Sequence, residues 1–303
     1  MKLHTHRFVR SRFGVAGRMV RVWLPQDYDA DPTHRYPVLY LQDGQNLFSP
    51  DTAFAGVAWD AGATAQKLID GKKIEPLILV GIDNSGLHRT DDYTPVRWRG
   101  RGGDADHFGR MLTDEIKPWI DRHYRTRPDR TSTGIAGASL GGLFALHLAL
   151  SRPDVFGRAA AMSPTLWWGN GVVLREIASL RTRADVRIWI DVGKREAPPL
   201  RQQVRAAEAL LVAKGWQQHR TAGKANLRYR EVARAGHDER SWGRRLDRVL
   251  KFLFPRPKRA RRAARTTHGS RSMPPIAGTS RGSRAASISQ RSNVRARSGN
   301  SSA

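Results

Sequence analysis

The chain has 303 residues and a mass of 33.9 kDa, with 39% hydrophobic and 26% charged residues and a formal charge of +26 from 53 basic against 27 acidic groups. That length suits one large domain or two small ones. No run comes near the roughly 18 consecutive apolar residues of a membrane helix. The absence of cysteine excludes disulfides, thiolate metal sites and a cysteine nucleophile.

The charge is uneven. Residues 255–303 hold 12 Arg and Lys, ten Ser and no Asp or Glu, which leaves 41 of the 53 basic residues, against all 27 acidic ones, before them. With so few large apolar side chains this stretch cannot bury enough surface to offset chain entropy. It is expected to be a disordered basic tail, and residues 1–254 to form one α/β domain. The opening MKLHTHRFVRSRFG lacks the apolar core of a secretory signal, so a cytoplasmic location is expected.

Taken in chain order, short apolar runs alternate with helix-length amphipathic segments, the pattern of βαβ units around a mostly parallel sheet with helices on both faces. Strands are expected at Val20–Leu24, Val38–Leu41, Leu77–Ile82, Ser132–Gly137, Arg158–Met162, Arg187–Val192 and Leu227–Val232. Helices are expected at Asp104–His123, Leu140–Leu150, Leu200–Lys214 and Arg240–Phe254, the last two stopped by Gly215 and Pro255. Leu140–Leu150 is apolar nearly all round, so it should be buried, with His147 packed inside. Asn84–Gly103 has no clean period and is expected to be a long loop, functional or disordered.

The strongest local signal is Gly137-Ala138-Ser139-Leu140-Gly141-Gly142. It follows a strand and opens a helix, the context of a G-x-S-x-G nucleophile elbow, in which a Ser on a strained turn stands clear of the sheet. The bland alternative is a Gly-rich turn with a bystander Ser. A serine hydroxyl needs a base, and the base an orienting acid, in the order Ser, acid, His. His237 follows the last strand, at the carboxyl end where open α/β sheets place their sites. His219 lies in a polar stretch expected to face solvent. For the acid, Glu196 in the loop past Gly193 is favoured over Asp191, which alternates within the strand and could instead be a buried hydrogen-bond partner. The Leu140 N–H would supply one oxyanion donor. The loop Asp43-Gly44-Gln45-Asn46 offers a second through the Gln45 N–H, or else is an ordinary turn.

With these residues placed, the chain resembles the Putative esterase family of α/β-hydrolases, which includes esterase D-like, feruloyl and enterochelin esterases. The resemblance runs from about Val20 to Phe254. It rests on Tyr36–Phe48, Asp92-Tyr93-Thr94-Pro95, the elbow, Ser163-Pro164-Thr165-Leu166-Trp167-Trp168 and Gly236–Trp242. It implies an α/β-hydrolase fold, Ser139 as nucleophile, His237 as base, Gln45 and Leu140 as backbone oxyanion donors, and Glu196 as acid. Many relatives carry His where this chain has Gln42, and the basic tail is no part of the family pattern.

A serine esterase acting through an acyl-enzyme is therefore expected, on a small-molecule ester of aryl or siderophore type. Tyr93, Trp98, Trp167 and Trp168 could line its pocket, or pack under the long loop. The same triad would serve an acyltransferase. A non-catalytic binding protein, contacting nucleic acid through the six Arg and Lys of residues 256–265, is the third reading. That tail has no aromatic residues for base stacking, so a solvated extension is the plainer expectation. No cofactor is expected, because there is no phosphate loop or dinucleotide fingerprint. No metal is expected either, since His4-Thr5-His6 is a close pair in a polar segment without a third ligand in sight.

Overall fold

The computed structural model describes residues 2–218 and 226–256. All seven expected strands are present, as β2 (Ala16–Leu24), β3 (Val38–Gln42), β4 (Ile78–Ile82), β5 (Thr133–Ala138), β6 (Arg158–Met162), β7 (Arg187–Gly193) and β8 (Leu227–Val232). An eighth, β1 (Lys2–Arg10), precedes them. The sheet order is β1-β2-β4-β3-β5-β6-β7-β8, antiparallel at β1/β2 and β2/β4 and parallel elsewhere.

Strand residues alternate between two apolar layers. Val38, Tyr40, Ile78, Val80, Ile135, Ala159, Ile188 and Ile190 face one core, while Leu39, Leu41, Leu79, Ala136, Ala160, Met162 and Trp189 face the other. The central strands are therefore buried on both sides, which explains why they read as unbroken apolar runs. The first layer is covered by α3 (Ala105–Met111), α4 (Lys117–His123), α5 (Leu140–Ser151), α6 (Trp168–Ser179) and α7 (Pro198–Ala213). Across the sheet lie α1 (Ala61–Asp70) and α8 (Glu239–Leu253). This is the α/β-hydrolase fold.

Several expectations need correction. The single helix expected over Asp104–His123 is α3 and α4 joined by a π-helical turn, Leu112–Ile116. Pro118 follows that turn and lacks the N–H that an α-helix would donate to Asp114, so the wider register absorbs the missing bond. The loop Asn84–Gly103 contains a short helix, α2 (Arg89–Tyr93), and a tight hairpin in which Trp98 and Arg101 exchange backbone hydrogen bonds. The polar segment holding His4 and His6 is edge strand β1, where His4 Nδ1 and His6 Nε2 lie 3.1 and 2.6 Å from the Tyr124 hydroxyl. His219 and the basic stretch from residue 257 onward lie outside the described residues.

His147 is buried in α5 as expected, and it is also paired. Its Nδ1 lies 2.8 Å from Glu176 Oε2 and its Nε2 lies 3.1 Å from Asp106 Oδ1. Burial alone would lower its pKa, but the two carboxylates outweigh burial and raise it from 6.5 to about 9. The native state thus holds a proton that the unfolded chain sheds near 6.5. The resulting stability is complete below that pH and is lost as pH rises through 9. Asp106 is largely exposed, so screening leaves on the order of 2 kcal/mol. Urea unfolding is expected to show stability falling by about that amount from pH 6 to pH 10, and His147→Gln is expected to flatten the decline.

Candidate active site

Five parallel strands, β3, β5, β6, β7 and β8, deliver the site at their carboxyl ends. Strand β5 ends in the elbow, where Ser139 adopts φ 56°, ψ −124°, a conformation that costs a non-glycine residue on the order of 1–3 kcal/mol. The turn is so tight that a Cβ on Gly137 would sit 2.4 Å from the backbone of Gly141. Two further non-glycine residues with positive φ, Asp43 (55°) and Ser163 (44°), occupy the ends of the flanking strands β3 and β6.

The Ser139 hydroxyl lies 2.9 Å from His237 Nε2, and His237 Nδ1 lies 2.9 Å from Glu196 Oε2. A carboxylate only accepts, so Nδ1 carries the ring proton and Nε2 is free to accept from Ser139. His237 rides the loop between β8 and α8, which Asp238 caps by accepting from the Ser241 N–H and hydroxyl, both at 2.8 Å. The Trp242 indole packs near-perpendicular to the imidazole, with ring centroids 4.9 Å apart.

Glu196 is buried, with the Gly193 N–H (2.7 Å) and the Ser163 hydroxyl (2.5 Å) donating to Oε1. Burial alone would raise its pKa, but the bonds from His237, Ser163 and Gly193 outweigh burial and hold it below the usual carboxylate range. Asp191 makes no hydrogen bond or ion pair with the imidazole among the described residues. Its Oδ1 lies 3.0 Å from Arg245 Nη1, an ion pair too bent to count as a hydrogen bond, and its Oδ2 accepts from Trp189 Nε1 at 2.8 Å. Full burial raises the Asp191 pKa despite Arg245. Arg245 also donates to Ser163 Oγ at 3.0 Å, so the buried pair braces the residue that braces Glu196.

The loop after β3 runs beside the elbow because β3 and β5 are paired neighbours. Neither the Gln45 N–H nor the Leu140 N–H has a hydrogen-bond partner among the described residues. The loop is clamped from outside. Arg89 Nε and Nη2 donate to the two Asp43 oxygens at 2.7 and 2.9 Å, and Asn84 Nδ2 donates to Oδ1 at 2.8 Å. From within, the Asp43 N–H donates to the Tyr93 hydroxyl at 3.1 Å. Glu239 ties the same loop to the His237 side, accepting from Asn46 Nδ2 (3.1 Å) and from Trp59 Nε1.

A cleft of about 550 Å³ opens over Ser139 and His237. Its walls include Gln45, Phe54, Val57, Arg89, Arg240 and Trp242. The expected aromatic lining is placed elsewhere. Tyr93 is fully buried, stacked on Phe144, and acts on the loop backbone rather than facing the cleft. Trp168 is buried too, its Nε1–H donating to the Val96 carbonyl at 2.8 Å, which is the packing role under the long loop. Trp167 is 42% exposed, at 5.5 Å from the Trp98 ring. Among the described residues no group of three or more His, Asp or Glu is placed to hold a metal ion.

The family model described as Putative esterase matches residues 16–253. The chain belongs to the Putative esterase family. Membership places it among the carboxylic-ester hydrolases. It is 29% identical over 178 residues to the ferri-bacillibactin esterase of Bacillus subtilis, covering 52% of this chain and 58% of that protein. To the iron(III) salmochelin esterase of Escherichia coli O6:H1 it is 29% identical over 198 residues, covering 65% of this chain and 44% of that one. The matches thus span about half the length of these two relatives. The solved enterobactin esterase of Shigella flexneri shares the fold, with a TM-score of 0.68 at 22% identity over 84% of this chain and 58% of that one.

In this esterase, several residues at the site carried no signal of their own in the sequence. Asn84 and Val57 reach it from irregular segments, Phe54 from a single 3-10 turn and Arg89 from the first residue of the short helix α2, none with a period or motif. Arg245 did leave a trace, because it falls in the helical stripe Trp242, Leu246, Val249 that α8 buries. A cation in such a stripe demands a buried acid, and Asp191 is that acid. No helix among the described residues is long and apolar enough to cross a membrane.

Proposed function

We propose that this chain is a cofactor-free serine esterase in which Ser139 attacks the ester carbonyl, His237 takes and returns the proton, and Glu196 orients the imidazole. The observation that carries the reading is the unbroken hydrogen-bonded chain from Glu196 through His237 to Ser139 Oγ, with both imidazole links at 2.9 Å. As the proton passes to Nε2 the imidazolium gains the Glu196 charge beside it, and the carbonyl oxygen becomes an oxyanion. The unpartnered N–H groups of Gln45 and Leu140 are the donors that would receive it. Collapse expels the alcohol, protonated by His237, and leaves an acyl-enzyme that water releases by the same steps. Residues 1–254 would be the catalytic domain, with 255–303 outside it, since the family match stops at residue 253.

For substrate class we propose a bulky aryl or siderophore-type ester. Two relatives are named for iron-chelate esters, and the cleft combines an apolar wall (Phe54, Val57, Trp242) with the cations Arg89 and Arg240.

The clamp on Asp43 predicts a graded effect. Burial alone would lower the Arg89 pKa, but Asp43 outweighs burial and raises it, so the guanidinium keeps its charge in the clamp. Arg89→Met is expected to loosen the loop and lower kcat about tenfold with the fold intact, read by steady-state kinetics alongside circular dichroism.

The test of the reading is labelling of the full chain with a fluorophosphonate, followed by peptide mass spectrometry and turnover of aryl esters with and without added alcohol. A label on Ser139, absent in His237→Ala, together with release of free acid, is the expected result. No label on folded protein would overturn the serine mechanism, and esters of the added alcohol as the main product would make the chain an acyltransferase.

A further inference from the structure

The hydroxyl of Thr165 lies 3.2 Å from Ser139 Oγ, and nothing in the triad accounts for it. Thr165 is buried, its N–H donates to the Ser139 carbonyl at 3.1 Å, and its hydroxyl has no other partner among the described residues. Valine has the same shape, and a buried hydroxyl costs free energy unless it is paired. Proton counting fixes the direction of this pair. Ser139 has one proton, which goes to His237 Nε2 because Nδ1 already carries the ring proton for Glu196. The proton between the two hydroxyls must therefore come from Thr165, and Ser139 Oγ accepts it.

We propose that Thr165 is a further catalytic residue, a hydrogen-bond donor to the nucleophilic oxygen itself; this rests on Ser139 being the nucleophile. During attack the Ser139 O–H bond breaks toward Nε2, the Oγ–carbon bond forms, and the carbonyl π pair moves onto oxygen. Negative charge on Oγ passes through a maximum as the proton leaves ahead of bond formation. It does so again in deacylation, when the Oγ–carbon bond breaks and its electron pair returns to Oγ. Thr165 keeps its own proton throughout and stabilises that charge both times, since a bond to a charged acceptor is stronger than one to a neutral hydroxyl. The segment after β6 thus serves both ends of the triad, with Ser163 on the acid and Thr165 on the nucleophile, and the positive φ of Ser163 sets the turn between them.

The experiment compares Thr165→Val and Thr165→Ser in the full chain. One assay is hydrolysis of p-nitrophenyl acetate. The other is the rate of fluorophosphonate labelling, which reads attack by Oγ without any deacylation. Val is expected to lower both kcat and the labelling rate about tenfold with KM within about twofold, and Ser to stay within about threefold of the parent. Val at more than half the parental rates would overturn the proposal. So would Ser losing as much as Val, since packing of the methyl group would then be what counts. If Val does not fold, Thr165→Ala against Thr165→Ser makes the same comparison. Failure of the parent to label at Ser139 is a separate result, which would remove the serine mechanism and not merely this donor.

Discussion

Ser139→Ala is expected to reduce turnover of an aryl ester on the order of a millionfold, and His237→Ala by nearly as much. The two act on one event, transfer of a single proton across a 2.9 Å contact, so the double variant should be scarcely worse than either alone. Residual activity should remain above the uncatalysed rate, because the proposed oxyanion donors, the Gln45 and Leu140 N–H groups, are untouched. Stability offers an independent check. Ser139 holds its strained backbone because Gly137, Gly141 and the β3 loop leave it no other path. Glycine tolerates that conformation, so Ser139→Gly should be inactive yet more stable than Ser139→Ala by about 1 kcal/mol in urea unfolding. A glycine variant no more stable than the alanine one would mean that the turn is not strained. Measured turnover within about tenfold of the parent in Ser139→Ala would displace Ser139 from the mechanism.

The sheet was legible wherever strands are buried on both faces, because Leu77–Ile82 or Arg187–Val192 can satisfy their apolar content in no other way. β1 was not, since its Lys-Leu-His-Thr-His-Arg alternation belongs to an edge strand whose inner face touches Tyr124 and Trp119 through histidine rings. α1 and α6 were missed for a local reason. α1 opens on the small residues Ala61, Gly62 and Ala63, and in α6 the Gly169, Asn170 and Gly171 that follow Trp168 all take positive φ, so no helical period is established at the start. At the site, the residues fixed by strand ends and a tight turn could be found: Ser139, His237 and the Glu196 or Asp191 choice. Tyr93 shows the limit. A tyrosine in a loop beside a site has two uses, its ring toward a ligand or its hydroxyl toward the backbone, and only packing against Phe108 and Phe144 decides for the second. Contacts made by irregular segments depend on where the chain passes in space, which local pattern does not encode.

Glu196→Gln and Asp191→Asn should separate two carboxylates that the sequence could not. In Glu196→Gln the side chain keeps its shape, and its oxygen still accepts from Gly193 and Ser163, so the fold should be unaffected. Its amide then faces the imidazole and donates, which drives the ring proton onto Nε2 and leaves no acceptor for Ser139. The expected loss in kcat is about 10³- to 10⁴-fold, with the unfolding midpoint near the parent's. Asp191→Asn should do the reverse. The Arg245 guanidinium, fully buried, loses its counter-charge, and an uncompensated buried cation costs about 3–5 kcal/mol. The variant should therefore unfold at markedly lower urea, while the folded fraction turns over ester at a rate within a few-fold of the parent. Any larger loss would run through Ser163, which Arg245 touches, and should then track the loss seen in Ser163→Ala. The crossed pattern is decisive because each substitution moves one readout and spares the other. An inactive but stable Asp191→Asn beside an active Glu196→Gln would exchange their roles, and would require the imidazole to leave the carboxylate that lies 2.9 Å from it.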